Sequence, residues 1–120
     1  MLVSGANDVL NNHKKRIKPT IIYVPGVFEI PYAISKNLKK YDAFIALGCV
    51  IKGETPHFDF ISKSSIDAIM KLSIESKKPI GNGILTCLNK EQAIERADKS
   101  NKNKGKEAAI AAIELLISDN

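Results

Sequence analysis

The chain has 120 residues, 44% apolar and 26% charged, with 18 Lys and Arg against 13 Asp and Glu for a net charge of +5. That is the make-up of one globular domain, residues 1–120, and it excludes a multidomain scheme. No stretch reaches the roughly 18 apolar residues of a membrane span, and the opening MLVSGANDVL has neither the basic nor the apolar region of a secretory signal, so the expected location is the cytoplasm with no membrane partner. The positive balance attracts anions. With no Trp and 6% aromatic residues, the stacking platforms of nucleic-acid binders are poorly supplied, which turns the expectation toward a small anion and away from nucleic acid. Cys49 and Cys87 lack a CxxC spacing, and only His13 and His57 offer imidazoles, so neither a zinc site nor a disulfide framework is indicated.

Apolar periodicity predicts a helix over 2–15, from Leu2, Ala6, Val9 and Leu10, with Lys14, Lys15 and Arg16 at the end where cations are favoured. The β-branched run 20–24 predicts a short strand stopped by Pro25 and Gly26, and a helix follows over about 29–39 with Pro31 in its first turn. Residues 43–51, AFIALGCVI, are nearly all apolar, as expected of a strand buried on both faces. Thr55 then offers an N-cap, Pro56 a first helical position and Asp59 a first-turn acid for a helix to about 77. That helix carries Phe58, Ile61, Ile66, Ile69 and Leu72 on one face and Phe60, Met70 and Ile74 on another, and the second facet needs a further surface such as a neighbouring subunit. Residues 80–85 predict the last strand, and Asn89 with Gln92 resembles a capping box opening a helix to Ala97. The Lys-rich KSNKNKGK reads as a loop before an Ala-rich helix over 107–117.

This order predicts an α/β fold with parallel strands, right-handed crossovers and helices on both faces of the sheet. Ligands in such sheets sit beyond the carboxyl ends of the strands, and those ends run here into VPGVFE, GCVIKGETPHF and NGILTCLN. In GCVIKGETPHF, Gly48 and Gly53 permit close backbone approach, and the helix start at Thr55 and Pro56 presents free N–H groups to a phosphate. His57 lies beside that position, placed either to move protons or simply to finish the helix end. Phe28 and Glu29 fit a cover and a hydroxyl acceptor, or a core ring and a first-turn acid. Arg96 and Lys104 flank the last loop as phosphate-neutralising cations or as a solvated basic face. Cys49 reads as a small buried apolar residue, Cys87 as a surface thiol or strand-end filler, and His13 as a surface residue.

Together VPGVFEIP, ALGCVIKGETPHFDF, NGILT, EQAIERA and NKGKEAA closely resemble the 6,7-dimethyl-8-ribityllumazine synthase family, in family order from Val24 to the C-terminus. The resemblance implies a three-layer α/β/α sandwich with a parallel flavodoxin-like sheet. It also implies the penultimate step of riboflavin biosynthesis, the condensation of 5-amino-6-(D-ribitylamino)uracil with 3,4-dihydroxy-2-butanone 4-phosphate with loss of phosphate and water. That step is not a redox reaction, so the resemblance implies no cofactor and no metal. Carried over by motif, His57 is the proton-transfer residue. Glu54, Thr55 and Arg96 hold the butanone phosphate with Lys104 as a nearby cation. Val27, Phe28 and Glu29 hold the ribityl chain, Cys49, Val50 and Ile51 meet the pyrimidine mostly through backbone, and Asn82 comes from the adjoining subunit. The family assembles as pentamers, in some members as decamers or sixty-subunit shells, with riboflavin synthase as a candidate partner. The family also begins with a strand bearing an aromatic residue that stacks on the pyrimidine, whereas this sequence starts at the following helix. The expectation is therefore a member shortened at its N-terminus, with a catalytically impaired oligomeric scaffold of the same family as the alternative function.

Overall fold

A computed structural model describes residues 1–14 and 16–118. In chain order it comprises α1 (Leu2–Asn11), a 3-10 turn (Val27–Glu29), α2 (Ile30–Lys36), β1 (Phe44–Ile51), α3 (His57–Ser76), β2 (Ile80–Cys87), α4 (Lys90–Ala97) and α5 (Lys104–Ser118). The two strands pair in parallel with an unbroken register from Phe44 opposite Ile80 to Ile51 opposite Cys87. Backbone bonds continue past both ends, from Phe44 N–H to the Pro79 carbonyl and from Lys52 N–H to the Cys87 carbonyl, each 2.9 Å.

Strand alternation assigns the two faces. Ala46 and Ile84 join Ile30, Ile34 and Ile69 in one buried cluster, which places α2 and α3 on that side. Ile45 and Leu47 pack against Ala6, Val9, Leu10, Ala109 and Ile113, and Leu85 and Cys87 pack with Ala97, so α1, α5 and α4 cover the other. Helices therefore lie on both faces of a parallel sheet, as the α/β expectation requires. α5 comes unusually close to β2: a Cβ at Gly81 would collide with the backbone carbonyl of Ala108, and one at Gly83 would crowd the Ala108 side chain. Small residues on both elements are what permit the approach.

Lys78 fastens the beginning of the sheet. α3 ends at Lys77 in the left-handed conformation (φ 58°), and the Lys78 ammonium then donates to the carbonyls of Leu38 and Tyr41, the latter at 2.9 Å. The loop before β1 is thereby tied to the turn before β2.

Several expectations need correction. Residues 20–24 form no strand: β-branched propensity is expressed only when a neighbouring strand offers donors and acceptors. Here a groove of about 750 Å³ separates this segment from β1. Ile21, Ile22 and Tyr23 are accordingly exposed. For the same reason β1 is mostly half-buried, with Ala46 its one buried residue, rather than covered throughout. α1 stops at Asn11, short of the predicted end at Lys15, which lies outside the described residues. α2 ends at Lys36 rather than near 39, and α5 begins at Lys104, inside the stretch read as loop. The two facets of α3 are as expected: Ile69 is buried, whereas Phe60, Met70 and Ile74 are each more than half exposed.

Gly81→Ala should lower stability by about 3 kcal/mol, the cost of forcing α5 off the sheet. Thermal or chemical denaturation monitored by circular dichroism measures it, and a midpoint equal to that of the parent chain would contradict the packing described.

Candidate active site

The residues singled out from the sequence occupy three neighbourhoods. Val27, Phe28 and Glu29 form the 3-10 turn that follows Pro25 and Gly26. Val27 anchors it, since its Cγ2 sits where a Cβ on Gly48 would go, and this close approach requires glycine in β1. Phe28 is then left exposed on the turn, 61% accessible, rather than in the core.

Cys49, Val50 and Ile51 complete β1 and lead into an exposed connection carrying Glu54 and Thr55. Pro56 occupies the N-cap of α3 and His57 its first helical position, one residue later than the capping pattern suggested. The reason is that the Pro56 backbone (φ −70°, ψ 3°) already lies close to helical, and its carbonyl accepts from Asp59 N–H and Phe60 N–H at 3.1 and 3.3 Å. The Thr55 hydroxyl instead accepts a long bond, 3.4 Å, from His57 N–H. His57 is exposed at this helix mouth, and the first N–H groups of a helix are of the kind that can hold an anion.

The third neighbourhood is a pocket of about 420 Å³ along β2, lined by Asn82, Thr86, Arg96, Lys102, Lys104 and Glu107 among others. Its position follows from the strand register. The carbonyls of Pro79 and Cys87 point toward β1, so by alternation those of the even-numbered β2 residues point away, to the free edge. Arg96, in the last turn of α4, spans that edge: its Nη1 donates to the outward Thr86 carbonyl at 3.2 Å and to Cys87 Sγ at 3.5 Å. The Asn82 side-chain oxygen accepts from Ile84 N–H, 3.0 Å, on the same edge. α4 is itself held by the predicted capping residues, with Gln92 N–H donating to Asn89 Oδ1 and Leu88 N–H to Gln92 Oε1, both at 2.8 Å. Lys104 Nζ pairs with Glu107 Oε2 at 2.9 Å.

Asn82, Arg96 and Lys104 thus share one pocket, while Val27 and Cys49 border the groove beside β1. Neither cavity is lined by His57, Phe28, Glu29, Glu54 or Thr55. Thr86, Lys102 and Glu107 were not singled out from the sequence; no spacing signal joins them to Arg96, and only the strand register and the α4–α5 turn bring them together. Arg96 is half-buried and anchored rather than part of a solvated face, and His13 is likewise half-buried. The Cys49 assignment needs correction, because Cys49 is exposed at the open side of β1, whereas Cys87 is the strand-end filler of its two readings, fully buried beneath α4. Among the described residues no group of three or more His, Cys, Asp or Glu side chains is placed to hold a metal ion.

The family model described as 6,7-dimethyl-8-ribityllumazine synthase matches residues 1–118. The chain belongs to that family. It is 47% identical to the 6,7-dimethyl-8-ribityllumazine synthase of Nitratidesulfovibrio vulgaris (strain DP4) and 46% identical to that of Aliarcobacter butzleri, in each case over 96% of this chain and 76% of the relative. Identity to the Campylobacter jejuni (strain RM1221) enzyme is 44%, over 96% of this chain and 77% of the relative.

The two thiols connect the neighbourhoods electrostatically. Partial burial of the Cys49 sulfur pushes its thiol above the ordinary range, with Cys87, both as a nearby charge and as a hydrogen-bond partner, adding to the rise; the Arg96 guanidinium opposes it. The neutral thiol is therefore favoured to higher pH than in a free cysteine. Alkylation of Cys49 by iodoacetamide should show a pH profile displaced upward, returning toward normal in Cys87→Ala and moving further up in Arg96→Ala. A profile unmoved by either substitution would contradict the contacts between these groups.

Proposed function

We propose that this protein is a cytoplasmic 6,7-dimethyl-8-ribityllumazine synthase that joins 5-amino-6-(D-ribitylamino)uracil to 3,4-dihydroxy-2-butanone 4-phosphate and works as a homo-oligomer, a pentamer or a larger assembly of pentamers. The observation that carries this reading is the pairing of a family match spanning residues 1–118 with an anion pocket around Arg96 at the strand edge. A match running through every motif of the site favours catalysis over a scaffold that has lost it. Among the described residues no helix is long and apolar enough to cross a membrane.

Chemically, the amine of the pyrimidine attacks the ketone to give an imine and a first water, phosphate departs, and the ring closes with loss of a second water. His57 shuttles the protons, at a helix mouth whose N–H groups stabilise negative charge. Thr55, just ahead of the α3 terminus, and the Arg96 fork hold the phosphate, with Glu54 beside them and Lys104 as a further cation. Phe28 covers the ligand, Val27 and Glu29 complete the ribityl side, and backbone groups of Cys49, Val50 and Ile51 meet the pyrimidine. Holding both reactants together supplies much of the rate, because a bimolecular encounter becomes a unimolecular step.

The residues separate into two half-sites. Asn82, Arg96 and Lys104 share a pocket that His57 does not line, which supports a site completed by apposition of two copies, one giving the helix mouth and the other the cations. The exposed Phe60, Met70 and Ile74 facet of α3 supplies apolar surface for such contact.

His57→Ala should reduce kcat by about a hundredfold, and Arg96→Ala should raise KM for the phosphorylated substrate by about ten- to a hundredfold while KM for the pyrimidine stays unchanged. Steady-state kinetics read by lumazine fluorescence measure both. Unaltered kinetic constants in the two variants would refute the assigned roles.

A further inference from the structure

The pocket at the β2 edge contains a cation that none of the assigned roles uses. Lys102 lines it beside Arg96 and Lys104, and its ammonium forms no ion pair among the described residues. Lys104, in contrast, is engaged by Glu107 at 2.9 Å. Three cations and one carboxylate give the lining a net charge of +2, which matches a phosphate monoester carrying close to two negative charges near neutral pH. Without Lys102 the match falls to a single net charge, and half of that cationic set is already compensated internally.

The turn holding Lys102 is built to present it. The Asp98 carboxylate accepts from Ser100 N–H at 2.9 Å and from the Ser100 hydroxyl at 2.8 Å, and these bonds keep it below the usual carboxylate range. Its carbonyl accepts from Asn101 N–H and Asn103 N–H at 3.1 and 3.0 Å, while Lys102 N–H donates back to the Glu95 carbonyl at 3.3 Å. Asn103 takes the left-handed conformation (φ 46°) that lets the chain enter α5 immediately afterwards. The backbone at Lys102 is therefore tied to α4, one residue before Arg96, and the lysine is delivered to the same pocket from the opposite side of the turn.

We propose that Lys102 binds the phosphate of the phosphorylated substrate as the uncompensated cation of this pocket, together with Arg96; the assignment rests on the proposed anion-binding role of the pocket. Titration calorimetry of inorganic phosphate into the intact protein at low salt tests it, using the parent chain, Lys102→Gln, Lys102→Arg and Arg96→Ala, with KM for both substrates measured alongside. Lys102→Gln should weaken phosphate binding about fivefold and raise KM for the phosphorylated substrate by a similar factor, with KM for the pyrimidine unchanged and Lys102→Arg restoring the parent affinity. Unchanged phosphate affinity in Lys102→Gln alongside a loss in Arg96→Ala would overturn the role of Lys102 and leave the pocket intact. No loss in either variant would overturn both.

Discussion

The parallel register of β1 and β2 is the constraint from which the site follows. Pairing Phe44 with Ile80 fixes that Ile51 meets Cys87 seven residues later, and so fixes where each strand releases its chain toward the ligand edge. Lys78 enforces the starting point by donating to the Leu38 and Tyr41 carbonyls, an interaction that satisfies half-buried acceptors and ties the loop before β1 to the turn before β2. A slip of one residue would turn Ala46 and Ile84 out of the α2–α3 cluster and drive Ile45 and Leu47 into it, so the register is costly to change. Because register also sets which carbonyls face outward, it determines that Thr86 presents its oxygen to Arg96. Packing on the two faces and placement of the guanidinium are thus consequences of one pairing.

The same geometry underlies the proposed division of the site between copies. A parallel pair has two free edges, and the chain uses them differently. Beside β2, the edge carbonyl and amide of Thr86 and Ile84 are met by Arg96 and Asn82, leaving a polar, cationic surface. Beside β1, a wide groove lined by apolar residues such as Ile17, Val24, Ile45 and Leu47 separates the strand from the 20–24 segment. The helix mouth bearing His57 opens beyond the carboxyl end of β1, where parallel sheets place their ligands. In the proposed assembly, the cations at one edge and the histidine at a strand end meet through a contact repeated around the oligomer.

Most of the architecture was legible because it is locally encoded. The apolar runs of β1 and β2, the two facets of α3 and the Asn89–Gln92 cap depend on residues within a few positions of one another, and each is found where periodicity and capping chemistry put it. What escaped depends on tertiary company. The 20–24 run has strand composition without a strand partner. α5 starts early, at the lysine of the NKGK stretch, because Gly105 packs against the Leu2 backbone, where a Cβ would collide, and a Lys- and Gly-rich stretch gives no local sign of that contact. Cys49 is exposed and Cys87 buried because burial at a strand end depends on whether a helix covers it, and α4 covers Cys87 but not Cys49. For the site, VPGVFE and GETPHF marked their own loops, whereas Thr86, Lys102 and Glu107 join Arg96 only through the folded edge of β2.

The account turns on a site completed by two copies, and subunit mixing tests this most directly. His57→Ala and Arg96→Ala chains, each strongly impaired alone when the phosphorylated substrate is held below the parent KM, would be co-produced in equal amounts, co-assembled and assayed for lumazine formation under that condition. If the proton carrier and the cation come from neighbouring copies, about one quarter of the interfaces regain both groups and activity returns to about that fraction of the parent level. Activity no higher than the mean of the two single variants would mean that both groups serve one site within one chain, contradicting the division into half-sites.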